Sequence, residues 1–449
     1  MVRRGWVVAS VVAFCAGLAW GAPGAAAVSG LGRSDAATSG SAAASSAIPV
    51  LDPTFSGDGR VRCCAGLYLP GMQFSDVATR GGWIYAVGTA GDQSRGTSWP
   101  LVAAFRGNGT LAGSFSSRGF RLVRRAGDQA EFDSLVVEPD GKIVAAGIAG
   151  RNVLVSRFRA DGTLDPTFAR DGVRLLRVRV AGTNAVVSLD GGDRILVADS
   201  RTDTFASSSD ALVWRLTGQG ALDRTFARDG RKEIDQVRDD LISDMVVDAR
   251  GRPMVLLVDF RSHAPGRVVR LRTGGALDTS FSESGTLRFR MAPHGDTWPM
   301  SISLDGSGRI VVGMWGSDGL GVARWLPNGQ PDASYGTNGQ SRASCSVTAC
   351  AVLTRGGVLT PDGYVFAGTS DWSSLSPSYL ARFSPTGGFD ATFGNAGEFI
   401  HYLWPNAYDE MSLRPIVDAR GRLLVAGYAG FGTQQEPPVR ATLVRLIAH

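Results

Sequence analysis

The chain has 449 residues, 44% hydrophobic and 19% charged, proportions of a globular protein rather than of a disordered or membrane-embedded one. The formal net charge is +5, and no basic run interleaved with aromatics occurs, so nucleic acid is not an expected partner. Basic residues are almost all arginine, since Lys142 and Lys232 are the only lysines.

Taken in order, residues 1–27 read as a secretory signal. Arg3-Arg4 precedes an apolar core from Trp6 to Trp20, and Ala25-Ala26-Ala27 offers a small-residue cleavage site. The apolar run is short for a membrane span and no stop-transfer pattern follows, so the expected location is extracellular, with no span left after cleavage. The alternative is an uncleaved N-terminal anchor. Residues 28–48 are mostly Ser, Ala and Gly, too poor in apolar area to offset the entropy of ordering, and are expected to be a flexible leader.

From residue 49 onward one grammar repeats. In the clearest unit, Leu135-Val136-Val137-Glu138 is a strand, Pro139-Asp140-Gly141 a turn, and Lys142 to Gly147 the returning strand. An Asp-Gly pair between β-rich runs is a strong hairpin signal, because a type I′ turn needs positive φ at both central residues. Val153 to Phe158 is a third strand, and Asp161-Gly162 turns the chain into a fourth, expected to carry Leu164 and Phe168. The motif LDPTFARDG that begins at Leu164 has counterparts starting at Leu51, Leu111, Leu222, Leu277, Pro331 and Phe389, spaced 60, 53, 58, 55, 54 and 58 residues apart in chain order. Third strands end alike, as in Arg157-Phe158, Arg215-Leu216 and Arg445-Leu446, with Ala104-Phe105 in the first unit.

Four-stranded antiparallel units at such a period predict an all-β fold, a seven-bladed β-propeller over residues 49–449. The last unit stops after its third strand at Leu443–Ile447, while a lone copy at Leu51–Val61 precedes the first hairpin. The N-terminal strand is therefore expected to close the last blade.

The repeated aromatics Phe55, Phe115, Phe168, Phe226, Phe281, Tyr335 and Phe393 read as core between blades, each stabilising by roughly 1.5–3 kcal/mol when buried. The recurring Asp52, Asp165, Asp223, Asp278, Asp332 and Asp390 read as turn acceptors of backbone N–H groups. The second copy of the motif has Ala112 there, so that blade is expected to be looser locally. A calcium role for these Asp is disfavoured, because no copy shows the dense alternation of oxygen ligands of a calcium loop.

The pattern Leu-Asp-x-Thr-Phe-Gly-x-x-Gly, followed by Pro-Asp-Gly-Lys-Ile-Val-x-Ala-Gly, resembles the delta-60 repeat, a secreted bacterial repeat thought to form propellers. The resemblance spans residues 50–447, with departures at Arg80-Gly81-Gly82, at Asp190-Gly191-Gly192 and at Tyr335. It implies the propeller and export, and it implies no catalytic residues.

Beyond the signal, Cys63, Cys64, Cys345 and Cys350 remain, an even number that suggests disulfides in an exported protein. A local Cys345–Cys350 bridge is favoured, with Cys63-Cys64 either a vicinal disulfide or reduced. His263, His294, His401 and His449 lack metal-ligand spacing, and neither a G-x-S-x-G elbow nor an H-E-x-x-H motif occurs, so no metal or cofactor is expected. Acidic residues recur just before the innermost strands. Asp128, Asp240, Asp296 and Asp409 are the candidate ligand-binding residues, gathered at one mouth of the channel, with Asp239 and Glu410 beside two of them; solvated loop carboxylates are the plainer reading. Trp99, Trp298, Trp372 and Trp404 are the aromatic candidates for a ligand face.

Two functions follow from this reading. The first is a secreted, monomeric binding or scaffold module for an extracellular protein or glycan. The second is a secreted enzyme, either a hydrolase or lyase using channel-mouth carboxylates or a quinone-type oxidoreductase. An enzyme requires converging carboxylates in a closed pocket with one pKa raised, whereas a binding module requires a groove or aromatic patch.

Overall fold

The structure, a computed structural model, describes residues 49–64, 69–92, 95–178, 184–203, 208–235, 240–259, 264–291, 296–316, 319–344, 356–369, 377–404, 407–431 and 439–447. The signal and leader readings, the Cys345–Cys350 bridge, Trp372, Asp239, His263, His294 and His449 fall outside these residues, as does the side chain of Asp409.

The alternation of β-rich runs and glycine turns produces seven antiparallel sheets in sequence order, each a blade. Blade 1 is built from Gly71–Arg80, Trp83–Asp92, Thr97–Arg106 and Phe120–Leu122, and blade 2 from Ala130–Val137, Ile143–Ala149, Asn152–Phe158 and Val173–Arg177. Blades 3 to 6 repeat the plan, starting at the innermost strands Val186–Leu189, Leu241–Val247, Trp298–Leu304 and Gly356–Thr360. Blade 7 contains Ala407–Val417, Leu423–Phe431 and Val439–Ile447. Its outer position is filled from the other end of the chain. Val50 and Leu51 pair with Ile447 and Leu446, and Arg60, Val61 and Arg62 pair with Val444, Leu443 and Thr442. Each innermost strand contacts the next, including Ala407–Val417 against Gly71–Arg80, so the ring is closed.

Apolar burial lies between blades rather than inside them. Seven clusters occupy the seven junctions, and each contains one of the repeated aromatics. Phe55, Phe168, Phe226, Phe281 and Phe393 are 0% exposed, and Phe115 and Tyr335 are nearly so. A blade cannot bury this ring alone, so stability comes from neighbouring units.

The fourth strand starts later than the sequence pattern suggests. Leu164 makes only an isolated bridge to Phe158, and the strand begins at Val173. Between them Phe168 sits in a tight turn, its N–H donating to Asp165 O at 3.0 Å while its carbonyl accepts from Gly172 N at 2.7 Å. Ala169, Arg170 and Gly172 have φ of 51°, 75° and 85°, which extended backbone does not permit. The turn delivers the ring sideways to the next blade. The residue after the aromatic donates its N–H across the junction, as in Ala169 N to Gln219 O at 2.8 Å and Ser56 N to Asn108 O at 2.7 Å. Gly220 then lies on the face of Phe168, where an added Cβ would come within 2.8 Å of the ring, and φ is +77°. Both facts demand glycine there.

Candidate functional site

The repeated Asp and the Arg at the end of each third strand form one unit. Arg Nε donates to the carboxylate in Arg157–Asp165 (3.0 Å), Arg215–Asp223 (2.8 Å), Arg270–Asp278 (2.9 Å), Arg324–Asp332 (2.7 Å), Arg382–Asp390 (2.7 Å) and, joining the chain ends, Arg445–Asp52 (2.8 Å). The second carboxylate oxygen accepts the amide and hydroxyl of the residue two places on, for instance Thr54, Thr167 and Ser334. Each guanidinium lies 4.3 to 5.1 Å from the centroid of the motif aromatic. Several reach the following blade, as Arg270 does to Pro327 O at 2.6 Å. The Asp thus accept backbone N–H groups as expected, and with both oxygens engaged and a guanidinium alongside they do not form a cation cage.

Burial opposes ionisation of Asp52, Asp165, Asp223, Asp278 and Asp390. The Thr or Ser donors and the Arg outweigh it and hold these carboxyls below the usual range. Asp332 is pushed down to about 2, chiefly by the Ser334 hydroxyl, with the Ser334 amide and Arg324 adding to it against burial.

Blade 1 is the exception. Ala112 replaces Asp, but Ala104 replaces the Arg as well. The turn itself survives: Ala112 N donates to Ala104 O at 2.9 Å and Phe115 N to Ala112 O at 2.8 Å. Opposite Ala104 in register stands Tyr85, where Arg157 faces Val144 and Arg215 faces Leu196. The Tyr85 ring lies 6.3 Å from Phe115, filling space that a guanidinium fills elsewhere.

A second polar cluster occupies the axis. Asp76, Asp244 and Arg414 each follow a β-bulge in an innermost strand, which turns the side chain inward. Asp76 accepts Val77 N at 2.9 Å and, from blade 2, Leu135 N at 3.0 Å. Asp244 accepts Met245 N at 2.9 Å and, from blade 5, Ile302 N at 3.1 Å. Arg414 lies 3.5 Å from Asp76 and 3.6 Å from Asp244, which puts it across the axis between blades 1 and 4. Ser301 accepts Gly357 N from blade 6 at 3.1 Å and shares a hydrogen bond with the Tyr364 hydroxyl. Burial raises the pKa of Asp76 against the opposing pull of Arg414. Burial alone would lower that of Arg414, but Asp244 and Asp76 more than offset it and raise it. Nothing in a linear pattern marks this cluster, since bulges are what align its members.

The candidates read from sequence have different surroundings. Asp128 is exposed and accepts the Trp99 indole N–H at 3.0 Å. Asp240 is fully buried, 2.6 Å from Arg267. Asp296 is half-buried just before Trp298–Leu304, and Asp409 lies within Ala407–Val417. Glu410 is buried and accepts Ser378 N at 3.1 Å, Leu403 N at 2.8 Å and Trp404 N at 2.8 Å, tying blade 6 to blade 7. Of the tryptophans, Trp99 lies beneath Arg124, and Trp298 packs on Trp315 with centroids 4.3 Å apart. Trp404 is buried against Phe431 and is core rather than ligand face. Of the two states open to Cys63-Cys64, the structure shows the vicinal disulfide, with both residues buried.

Among the described residues, two of the clefts between blades lie on the hairpin-turn face. One, of about 470 Å³, separates blades 7 and 1, and the other, of about 180 Å³, separates blades 5 and 6. Among the described residues, no group of three or more His, Cys, Asp or Glu could hold a metal ion, and no helix is long and apolar enough to cross a membrane.

Residues 138–168 match a family model described as "Domain of unknown function (DUF5122) beta-propeller". No curated protein sequence matches the chain. Among solved structures, a protein of unknown function from Dyadobacter fermentans is similar over 87% of this chain and 100% of its own, with 11% identity and a TM-score of 0.44. Virginiamycin B lyase from Staphylococcus aureus is similar over 86% of this chain and 98% of its own, at 8% identity and TM-score 0.43. The polysaccharide lyase Uly1 is similar over 84% of this chain and 90% of its own, at 7% identity and TM-score 0.44.

Proposed function

We propose that the chain is an exported β-propeller that binds an extracellular glycan or protein and does not turn over a substrate on its axis. The observation that carries this reading is the commitment of the axial carboxylates. All four oxygens of Asp76 and Asp244 accept backbone N–H groups, two of them from the next blade, and Arg414 spans the pair. A general acid or base must exchange its proton with substrate. These carboxylates instead hold blades together around a cation. Of the expected mouth carboxylates whose side chains are described, Asp128, Asp240 and Asp296, Asp128 is the exposed one, and its indole neighbour Trp99 suits a ligand face.

The competing reading, a hydrolase or lyase, draws on the same cluster, because Asp76 has the raised pKa that an acid–base residue needs. The test is affinity electrophoresis of the protein recovered from culture medium against a polysaccharide panel, with released product assayed in parallel. Retardation without product supports binding. Product release that disappears in Asp76→Asn or Asp244→Asn, with the fold intact by circular dichroism, replaces the binding reading with the enzyme. Recovery of the chain from cells rather than medium, with residues 1–27 still attached by mass, removes export.

A further inference from the structure

We infer that the cleft between blades 5 and 6 takes a single neutral sugar ring, one of whose hydroxyl groups partners the buried Tyr335 hydroxyl. The inference rests on the binding reading above and names the ligand class and the place.

The cleft has a cause in the sequence. At five other junctions the residue at the start of the second strand is Ile84, Ile143, Ile195, Ile310 or Leu423, packed in one cluster with the motif phenylalanine. Blade 6 has Tyr364 there, in one cluster with Tyr335. Its ring runs toward the axis, where its hydroxyl meets Ser301. Two glycines make room for it. An added Cβ at Gly357 would come within 2.4 Å of the ring, and one at Gly313 within 2.2 Å of the hydroxyl. Blades 1, 2, 4 and 5 fill the register position of Gly357 with the buried side chains of Val77, Leu135, Met245 and Ile302. Tyr364 thus occupies the place of an aliphatic side chain, and a cleft of about 180 Å³ lies open beside it. That is well above the ~10–15 Å³ that a single water needs.

Tyr335 is the second departure. The other six copies of the motif carry Phe, and Tyr335 adds a hydroxyl to a residue that is 3% exposed and lines the cleft. Among the described residues that hydroxyl has no hydrogen-bond partner. A buried phenol ordinarily has one. Burial raises its pKa against the pull of Arg324, so the group stays protonated and can both donate and accept.

The remaining lining decides which molecule fits. Arg309 is paired with Asp305 and Asp332, and Arg324 with Asp332, so two guanidinium groups meet two carboxylates and charge favours a neutral ligand. Thr360 and Ser384 add hydroxyl groups, while Leu359, Pro361 and Pro385 add apolar surface. Polar groups set around an apolar wall suit a ring with hydroxyl groups on its rim and C–H bonds on its faces. The larger cleft, between blades 7 and 1, differs in both respects. It is lined by Arg420, Arg422 and Arg445, the last two bonded to Asp52, and its junction carries Phe55.

The test is saturation-transfer NMR and isothermal titration with methyl glucoside, methyl galactoside and N-acetylglucosamine, and with glucuronate as the charged probe. At least one neutral probe should bind, and more tightly than glucuronate. Tyr335→Phe restores the residue of the other six copies, so the melting temperature should stay the same or rise while binding weakens about tenfold. Ser384→Trp, which adds bulk to the lining, should abolish binding. Unchanged affinity in Y335F would overturn the site, as would glucuronate binding as tightly as the neutral sugars. A lower melting temperature in Y335F would mean that the hydroxyl is already partnered within the protein, and would overturn it too. So would a crystal soaked in the neutral sugars that shows only ordered water at Tyr335. Polysaccharide retardation in electrophoresis that persists in both variants would remove this inference and leave the binding reading standing. Absence of retardation in the unaltered protein, with no sugar bound, would remove both.

Discussion

The junction between blades 1 and 2 and the junction between blades 3 and 4 bury the same phenylalanine by different means. At blade 3, Phe226 lies under Arg215, which is bonded to Asp223, and the guanidinium reaches Thr273 O in blade 4. At blade 1, Phe115 is equally buried, yet Ala104 and Ala112 stand where Arg and Asp would be, and Tyr85 covers the ring. The aromatic is thus the part the architecture requires. Arg and Asp are a coupled pair, present together or absent together, because either alone would bury an unmatched charge. The expectation of looseness at Ala112 considered one missing acceptor, whereas a cross-strand exchange of bulk replaces the whole pair.

The comparison can be broken most sharply at blade 3. Asp223→Ala leaves Arg215 buried without its carboxylate and should cost about 3–5 kcal/mol in denaturant unfolding, comparable to Phe226→Ala. Adding Arg215→Ala to Asp223→Ala should recover part of that loss, and a double-mutant cycle reads the coupling directly. If the two single losses simply add, the pair is not a unit. The reverse exchange sharpens the same point with a smaller effect. Ala104→Arg alone should destabilise by about 1–3 kcal/mol through clash with Tyr85, and combining it with Tyr85→Val and Ala112→Asp should return the protein to near wild-type stability.

The smallest effect is in pH. Asp332 is pushed down to about 2 in the fold, against about 3.9 for an unfolded aspartate. A depressed carboxyl stabilises fully above the unfolded value and loses that contribution as pH falls through the folded one. Stability should therefore decline between about pH 4 and pH 2, and Asp332→Asn should flatten that limb by about 1 kcal/mol once solvent screening is allowed for. Blade 1 carries no such carboxyl at its motif, so Ala112→Asn should leave the limb unchanged.

The ring was legible because its signals are local and repeated. Asp-Gly hairpins, a fixed period and an orphan motif at Leu51 sufficed for seven blades and the closing strand. The Arg–Asp clamp was also present in the sequence, as two separate regularities eight residues apart in Arg157 and Asp165. The start of the fourth strand was missed because the turn after Phe168 uses positive φ at Ala169 and Arg170, residues that do not advertise it. The axial cluster was not legible at all. Asp76, Asp244 and Arg414 come from blades far apart in sequence and meet only because three bulges point them at one axis. Asp240, by contrast, was chosen for its place before a strand, and its partner Arg267 lies on another strand of the same blade.

The closing strand also sets an order of events. Asp52 and Arg445 are 393 residues apart, and their contact closes a loop of nearly the whole folded chain. Loop-closure entropy grows only slowly with length, so the finished ring is not much weakened by that span. The search for the contact is another matter, since non-local pairings slow folding. Residues 50–62 are synthesised before any of the blades, yet they have no sheet to join until Val439–Ile447 exists. Blades 1 to 6 can form in turn as the chain lengthens, while the earliest strand waits unpaired. The seam at blade 7 is therefore the last part of the ring to be completed, and the wall of the arginine-lined cleft that depends on Asp52 is completed with it.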